Sequence, residues 1–329
     1  MRTGIAGRVR GCLAALALSL IAGPAMAASD DFPSRPIRII IPAAVGTGSD
    51  ILARAFAAEA SRRLKQPLVA ENISGGGGII ATRTGLSAPP DGYTVLIHGP
   101  AMVTTMLTEP TAGYRMEDLV ALSSIGQISF TLGVSNSVPS KTVQELIAHL
   151  KANPGKLNYG SMGAGSLNGL STERFLALTG TNAQAIDYKN ATAALLDLAS
   201  GQVQIFLQTT PLLAPQVQSG KIRALAVTSE SRSFLVPDAP TFRELGMPDM
   251  FVTVWLVAFL PKAAPAPVVA VLRQAFSESV ASPDFVAKQR AGGFEPLAKT
   301  GRELDDYLRL EVQRWDADIK RTRAGGEKR

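Results

Sequence analysis

The chain has 329 residues, of which 46% are hydrophobic and 18% are charged, and its formal net charge is +6. This composition is too apolar for a disordered chain, and the apolar residues are too dispersed for a polytopic membrane protein. A single cysteine excludes an internal disulfide and a cysteine-rich metal site. The length predicts about two domains.

The first 27 residues have the features of a secretory signal peptide. Arg2, Arg8 and Arg10 form a basic start, residues 12–22 are an apolar run, and Ala-Met-Ala at 25–27 has small residues at both positions that signal peptidase reads. Cleavage after residue 27 of 329 leaves 302 residues, and the loss of three arginines lowers the net charge from +6 to +3. We therefore predict an exported protein that does not bind nucleic acid. A retained N-terminal anchor is the alternative.

Short β-branched runs alternate with helical patterns along the remaining chain, which is typical of parallel strands joined by helices. Residues 37–41 are almost continuously apolar, as in a strand buried on both faces, and residues 50–64 have apolar residues at helical spacing. The same criteria predict further strands at 67–70, 94–97, 130–134, 157–160, 185–187, 203–206, 224–227 and 255–260. Further helices are predicted from Thr142, at 267–281 and at 300–320.

The last predicted helix has an apolar stripe, which consists of Leu304, Leu308, Val312, Trp315 and Ile319. Such a stripe either docks on the core, which is the interpretation we favour, or binds a partner protein. The whole pattern predicts an α/β fold with two lobes. The predicted crossings lie near 124–127 and 252–254, so that 28–126 and 253–329 form the first lobe and 127–252 the second.

Side chains for catalysis are sparse in this sequence. His98 follows a predicted strand at a position that suits a cleft, and His149 lies on a helix face away from the apolar residues. One histidine without a cysteine or a recognisable carboxylate partner is weak evidence for a metal site or a catalytic triad. The sequence has no Gly-x-Ser-x-Gly motif and no phosphate loop. We therefore expect no enzyme, no cofactor and no metal.

Two glycine-containing loops, each between a predicted strand and a helix, indicate a binding site instead. The candidate residues of the first loop are Val45, Gly46, Thr47, Gly48, Ser49 and Asp50, and those of the second are Ser161, Gly163, Ala164, Gly165 and Ser166. Glycine permits unusual dihedral angles at Gly46 and Gly48, and the free amides of a helix start attract an anion. Neither loop contains arginine or lysine, so a carboxylate there is held by amides, hydroxyls and helix dipoles. For either loop alone, an ordinary strand-to-helix turn is the alternative.

The chain resembles the Bug family, the substrate-binding proteins of tripartite tricarboxylate transporters, from about residue 32 to 315. The similar segments are Pro-Ser-Arg-Pro-Ile at 33–37, Ala-Pro-Pro-Asp-Gly-Tyr-Thr at 88–94, Ala-Asn-Pro-Gly-Lys-Leu-Asn-Tyr at 152–159 and Gly-Lys-Ile-Arg-Ala-Leu-Ala-Val-Thr at 220–228. The resemblance implies a periplasmic type II binding-protein fold, in which two lobes close on a ligand that is usually a carboxylate. It also implies that the two loops hold this ligand.

Four positions depart from the pattern of the family. Ala43 stands where the family commonly has an aromatic residue, Thr47 where it often has glycine, Gly169 where many members have histidine, and Gln208 where many have aspartate. The resemblance adds Gln208 to the predicted ligand-binding residues. Loss of the aspartate disfavours amine-bearing ligands, and loss of the aromatic residue leaves room beside the first loop.

The sequence thus predicts a monomeric periplasmic protein that captures a small carboxylate between two lobes. It would deliver this ligand to a membrane permease or to a sensor kinase. One alternative is a partner-binding module that uses its C-terminal helix. An enzyme on the same fold is a less favoured alternative.

Overall fold

The computed structural model describes residues 32–163 and 166–326. The signal peptide predicted at 1–27 and the predicted site residues Ala164 and Gly165 lie outside the described residues. The strands are β1 Ile37–Ile41, β2 Leu68–Asn72, β3 Thr94–His98, β4 Leu119–Ser135, β5 Asn158–Ser161, β6 Gln184–Asp187, β7 Ile205–Thr209, β8 Ile222–Val227 and β9 Thr253–Pro261. The α-helices are α1 Gly48–Leu64, α2 Ile79–Ser87, α3 Ala101–Thr108, α4 Val143–Ala152, α5 Leu167–Thr179, α6 Ala191–Ser200, α7 Thr210–Gln218, α8 Ala266–Val280, α9 Pro283–Ala291 and α10 Gly301–Gly326.

The strands form one mixed sheet in the order β2-β1-β3-β9-β4-β7-β5-β6, and β8 also pairs with β4. Strand β1 is parallel to β2 and β3, and β5 is parallel to β6 and β7. Strands β4 and β9 are antiparallel to their neighbours. Two groups of parallel strands therefore lie on either side of a central antiparallel pair, which confirms the predicted α/β class.

The 17-residue strand β4 belongs to both halves of the sheet. Its residues 119–129 pair with β9, whereas 130–134 pair with β7 and 131–135 with β8. The sequence predicted only 130–134, because Ser123 and Ser124 interrupt the apolar pattern although both are buried. Strand β4 continues through the predicted crossing at 124–127, although its register with β9 shifts between 121 and 123 and between 124 and 126.

A further extended segment, residues 294–300 between α9 and α10, follows β4 along its central part. The backbones of Gln127 and Glu295 exchange two hydrogen bonds, of 2.9 and 2.7 Å. Farther along, Ser124 donates its amide to the carbonyl of Lys299, and Thr300 donates its hydroxyl to the carbonyl of Leu122. Sequence analysis missed this segment, because a lone extended stretch has no apolar periodicity.

The Glu295 side chain enters a buried polar cluster between this segment, β4 and α7. Its Oε1 accepts a hydrogen bond of 3.0 Å from the Ser129 hydroxyl, which also lies 3.0 Å from the Thr210 hydroxyl. Its Oε2 meets no donor at hydrogen-bonding distance among the described residues. Burial raises the pKa of Glu295, and the nearby Ser129 and Ser233 hydroxyls offset this rise only in part.

The C-terminal helix α10 is docked on the core, as the favoured interpretation of its apolar stripe predicted. Leu304, Leu308, Trp315 and Ile319 are all buried. None of the helices described in 32–163 and 166–326 has the length and apolar character that crossing a membrane requires.

Two buried carboxylates of α10 form specific contacts with the rest of the fold. Glu311 accepts a hydrogen bond of 2.9 Å from the Trp255 indole on β9. Asp318 forms an ion pair with Arg174 of α5, and both side chains are at most 5% exposed. Arg174 also donates to the carbonyls of Asp249 and Phe251, at 3.2 and 3.0 Å. Helix α10 thereby ties α5 to the central strands.

Substitution of Asp318 is predicted to destabilise the fold strongly, because it leaves Arg174 buried without its counter-charge. We expect Asp318→Ala to lower the free energy of unfolding by about 3 kcal/mol. Asp316→Ala is the matched control, since Asp316 on the same helix is 41% exposed and, among the described residues, forms an ion pair with Lys320 alone; its loss should cost less than about 0.5 kcal/mol. Urea denaturation measures both variants, and equal losses would contradict this account.

Replacement of Glu295 is predicted to stabilise the protein at neutral pH. A carboxyl group whose pKa is raised in the folded state lowers stability as pH rises from the unfolded pKa through the folded pKa. Glu295→Gln removes this penalty, so the variant should be more stable than the wild type at pH 7. The gain should shrink as the pH falls through the folded pKa towards pH 4, because the wild-type carboxyl becomes increasingly protonated in the folded state.

Urea denaturation at both pH values tests this expectation, with Glu278→Gln as the control because Glu278 is 49% exposed. A Glu295→Gln variant that is less stable at pH 7, or a gain that does not change with pH, would show that the charge of Glu295 is compensated in the fold.

Candidate functional site

The first predicted loop, between β1 and α1, is anchored by the buried carboxylate of Asp50. Its Oδ2 accepts a hydrogen bond of 2.9 Å from the Gly46 amide. Its Oδ1 accepts hydrogen bonds of 2.8 Å from the Asn72 amide group and 2.9 Å from Arg54. Asp50 therefore holds the loop in place through hydrogen bonds, and its charge is paired with the guanidinium of Arg54.

The pKa of Asp50 follows from these contacts. Burial acts to raise the pKa, but the hydrogen bonds from Gly46, Asn72 and Arg54 together outweigh it and hold the pKa below its usual value. The carboxylate is therefore ionised at neutral pH. Its oxygens accept hydrogen bonds from groups of the protein itself. The groups of the first loop that stay available to an anion are therefore hydrogen-bond donors.

Helix α1 begins two residues earlier than predicted, because Thr47 is its N-cap. The Thr47 hydroxyl accepts a hydrogen bond of 3.4 Å from the Asp50 amide, and the Thr47 carbonyl accepts one of 2.9 Å from the Ile51 amide. The amides of Gly48 and Ser49, the first two of the helix, have no acceptor among the described residues. These two amides and the Ser49 hydroxyl are available to a ligand.

Of the two glycines at which the sequence permits an unusual dihedral angle, only Gly46 adopts one. Gly46 has a φ of +83°, whereas Gly48 lies outside the left-handed region. A Cβ atom at Gly48 would lie 3.7 Å from the Phe294 ring, an ordinary contact distance. Gly48 is thus an ordinary first residue of a helix, and Gly46 makes the turn. Val45, beside it, is 74% exposed.

The second predicted loop, between β5 and α5, is also held in place by a buried side chain in the first turn of its helix, but this side chain is neutral. The buried Asn168 donates a hydrogen bond of 3.0 Å to the Gly160 carbonyl, and its Oδ1 accepts bonds of 3.0 Å from the Met162 amide and 2.9 Å from the Ser166 hydroxyl. The Ser161 hydroxyl accepts a hydrogen bond of 2.9 Å from the Gly163 amide. These contacts hold the loop in its turn.

Ser166 caps α5 in the same way that Thr47 caps α1. Its hydroxyl accepts a hydrogen bond of 3.2 Å from the Gly169 amide, and its carbonyl accepts one of 2.9 Å from the Leu170 amide. The amides of Leu167 and Asn168, the first two of the helix, have no acceptor among the described residues. Each loop therefore ends in a helix start with two unsatisfied amides, where the helix dipole favours an anion.

The two helix starts meet at one cavity of about 130 Å³. Ser49 lines the cavity from α1, and Leu167 lines it from α5. The remaining lining comes from the end of β1, from the β3–α3 connection and from β9, and includes Pro42, Ala43, His98, Pro100, Val254 and Leu256. The geometry thus brings the ends of the two predicted loops together.

His98 lies in the wall of this cavity, as its position after a strand suggested. Its Nδ1 accepts a hydrogen bond of 2.8 Å from the Gly99 amide, which leaves the proton on Nε2. Burial lowers the pKa of His98 to about 4. The imidazole is therefore neutral at pH 7 and adds no charge to the cavity.

Two of the four positions that depart from the family pattern differ in whether they line the cavity. Ala43, singled out as a departure from the family pattern, lines the cavity. Gln208 is buried near the end of β7 and accepts a hydrogen bond of 2.8 Å from the Thr209 amide, but it does not line this cavity. Its role in ligand binding stays a prediction.

Sequence analysis missed the two residues that support the loops from neighbouring elements. Asn72 ends β2, directly beside the end of β1, where the first loop begins. Asn168 follows the second loop within the first turn of α5. A polar residue at the carboxyl end of a neighbouring parallel strand was the available signal for Asn72.

The described residues do not provide the ligands of a metal centre. Among residues 32–163 and 166–326, histidine, aspartate and glutamate side chains do not form a group of three that could hold a metal ion. What the geometry offers is a set of hydrogen-bond donors around an apolar cavity, which suits a small anion better than a cation.

Comparison with known proteins identifies the family. Residues 52–323 match the model of the tripartite tricarboxylate transporter family receptor. The chain is 31% identical to the protein BugT of Bordetella pertussis over 312 residues, which cover 94% of this chain and 95% of BugT.

Solved structures of the same type share the fold. A TctC solute-binding protein from Polaromonas, solved without ligand, is 25% identical with a TM-score of 0.81, over 88% of this chain and 99% of that one. An R. palustris protein solved with adipate is 31% identical with a TM-score of 0.71, over 88% of this chain and 98% of that one. Together with the matched family model, these likenesses show that the chain belongs to the receptors of the tripartite tricarboxylate transporter family, the Bug or TctC type of solute-binding protein.

Proposed function

We propose that the protein is a periplasmic solute-binding protein that captures a small carboxylate between two lobes. The observation that carries this proposal is the meeting of two helix starts at one cavity. The free amides of Ser49 and Leu167, which line the cavity, and the Ser49 hydroxyl are donors for a carboxylate there, and the free amides of Gly48 and Asn168 lie beside them in the chain. Each hydrogen bond to a charged group is worth ~1.5–3 kcal/mol, so three of them support roughly micromolar binding without a cation.

The proposed lobes are residues 28–126 with 253–329, and residues 127–252. In support of this division, β4 exchanges its partner β9 for β7 and β8 at residues 129–131. The first loop belongs to the first lobe and the second loop to the second, so a ligand held by both would draw the lobes together. The proposed ligand-binding set remains the two loops with Gln208.

The proposed route begins with export through a signal peptide cleaved after residue 27. The monomeric receptor then delivers its ligand to a membrane permease of the tripartite type or to a sensor kinase. A partner-binding role for α10 has less support, because the apolar stripe that would serve it is buried.

Identification of the retained ligand tests the proposal. The protein is purified under native conditions from the periplasm, and the small molecules it releases on denaturation are analysed by mass spectrometry. We expect a small organic acid in near-stoichiometric amount. A sugar, an amine or a metal ion in its place would contradict the proposal.

Removal of the Ser49 hydroxyl is predicted to weaken carboxylate binding at least tenfold, because a hydrogen bond to a charged group is lost. Calorimetric titration of Ser49→Ala with acetate, hexanoate, malate and adipate measures the effect on whichever acids the wild type binds. Lys156→Ala is the control for net charge, since Lys156 is exposed and outside both loops. Unimpaired binding by Ser49→Ala, or loss of binding in Lys156→Ala, would contradict a site built from uncharged donors.

A further inference from the structure

The cavity between the two helix starts is apolar apart from its donors. Among the described residues that line it, only Ser49 and His98 have polar side chains, and neither arginine, lysine, aspartate nor glutamate is present. The walls are formed by aliphatic groups, chiefly Ala43, Leu167 and Leu256. A ligand group that enters this space therefore meets hydrocarbon.

The ionisable groups near the cavity add no net charge to it. His98 is neutral at pH 7, because burial depresses its pKa to about 4. Arg54, in the first turns of α1, is paired with Asp50 at 2.9 Å and donates a second bond of 2.5 Å to Asn72. Its charge is therefore already balanced within the first loop.

The volume of the cavity limits the size of the group that fills it. An apolar cavity of about 150 Å³ holds one molecule of benzene. The 130 Å³ found here is close to this volume. It therefore suits a ring or a chain of about six carbon atoms.

We propose that the ligand is a monocarboxylate, with its one charged group on the helix starts beside Ser49 and an apolar body of about six carbons in the cavity. This inference rests on the proposed function and narrows it. A second carboxylate at the far end of the ligand would lie against Val254 and Leu256 of β9, whose side chains offer no donor, which is unfavourable for an ionised group. Dicarboxylates of the same length should therefore bind less well.

Hexanoate and adipate make a matched pair for the test, because they have the same chain length and differ in one terminal carboxylate. Calorimetric titration of the full mature chain at pH 7 should give hexanoate an affinity at least tenfold above that of adipate. Acetate provides the carboxylate without the body. Since each buried methylene contributes about fourfold in affinity, hexanoate should bind more than about fiftyfold more tightly than acetate.

A pair of leucine substitutions on α5 checks that the cavity provides this preference. Leu167→Ala should lower the affinity for hexanoate by roughly fivefold and leave that for acetate within about twofold, because only the contact with the body is lost. Leu178→Ala on the same helix is the control, since Leu178 is 44% exposed. It should leave both affinities unchanged.

The outcomes separate the two proposals. If adipate binds as tightly as hexanoate or more tightly, or if Leu167→Ala leaves hexanoate binding unchanged, the monocarboxylate inference is wrong and carboxylate capture still stands. If none of the three acids binds at millimolar concentration, the proposed function itself is wrong.

Discussion

The hydrogen bonding of one strand, β4, to both halves of the sheet is the constraint on which the rest of the structure depends. Its first part pairs with β9 and its last part with β7 and β8, so both groups of parallel strands are placed relative to it. The segment at 294–300 follows the same strand, and α10 is fixed to β9 through Glu311 and to α5 through Asp318. As a result, the carboxyl ends of β1 and β5 lead into loops whose helices begin at one cavity.

The two loops are held in place in the same way by two different residues, Asp50 and Asn168. A turn with free donors must be held in place without using those donors, and a buried acceptor just inside the helix does this in both. Asp50 is charged and has Arg54 as its counter-ion, whereas Asn168 is neutral, and its side chain bonds, among the described residues, to polar groups of β5 and of its own loop. In each case the first two amides of the helix remain unsatisfied among the described residues. Binding of an anion therefore depends on dipoles and geometry rather than on a cation.

Sequence patterns predicted the parts of this protein in which the local sequence favours the same structure that the packing of the whole fold requires. Strand β1 was predicted with its observed bounds, because every position but Arg38 is apolar and the strand is buried on both faces. Both loops were located from glycine and hydroxyl residues between a strand and a helix. The resemblance to the family then supplied the fold and the expected class of ligand.

The remaining features depend on contacts between distant parts of the chain, which a local pattern does not contain. The first half of β4 was missed because its serines are buried by pairing with β9 and with residues 294–300. The sequence permits an unusual dihedral angle at Gly48, but Thr47 takes the N-cap position and leaves Gly48 in the helix. The apolar character of the cavity arises from Leu167 and Leu256, which lie 89 positions apart and meet only in the folded chain.

A crystal structure of the mature protein with bound hexanoate would test the central claim most directly. The account predicts a carboxylate within hydrogen-bonding distance of the Gly48 and Ser49 amides and a hydrocarbon chain that lies against Leu167 and Leu256. An acid bound away from both helix starts, or a carboxylate held by an arginine or lysine side chain while these amides stay unoccupied, would contradict it.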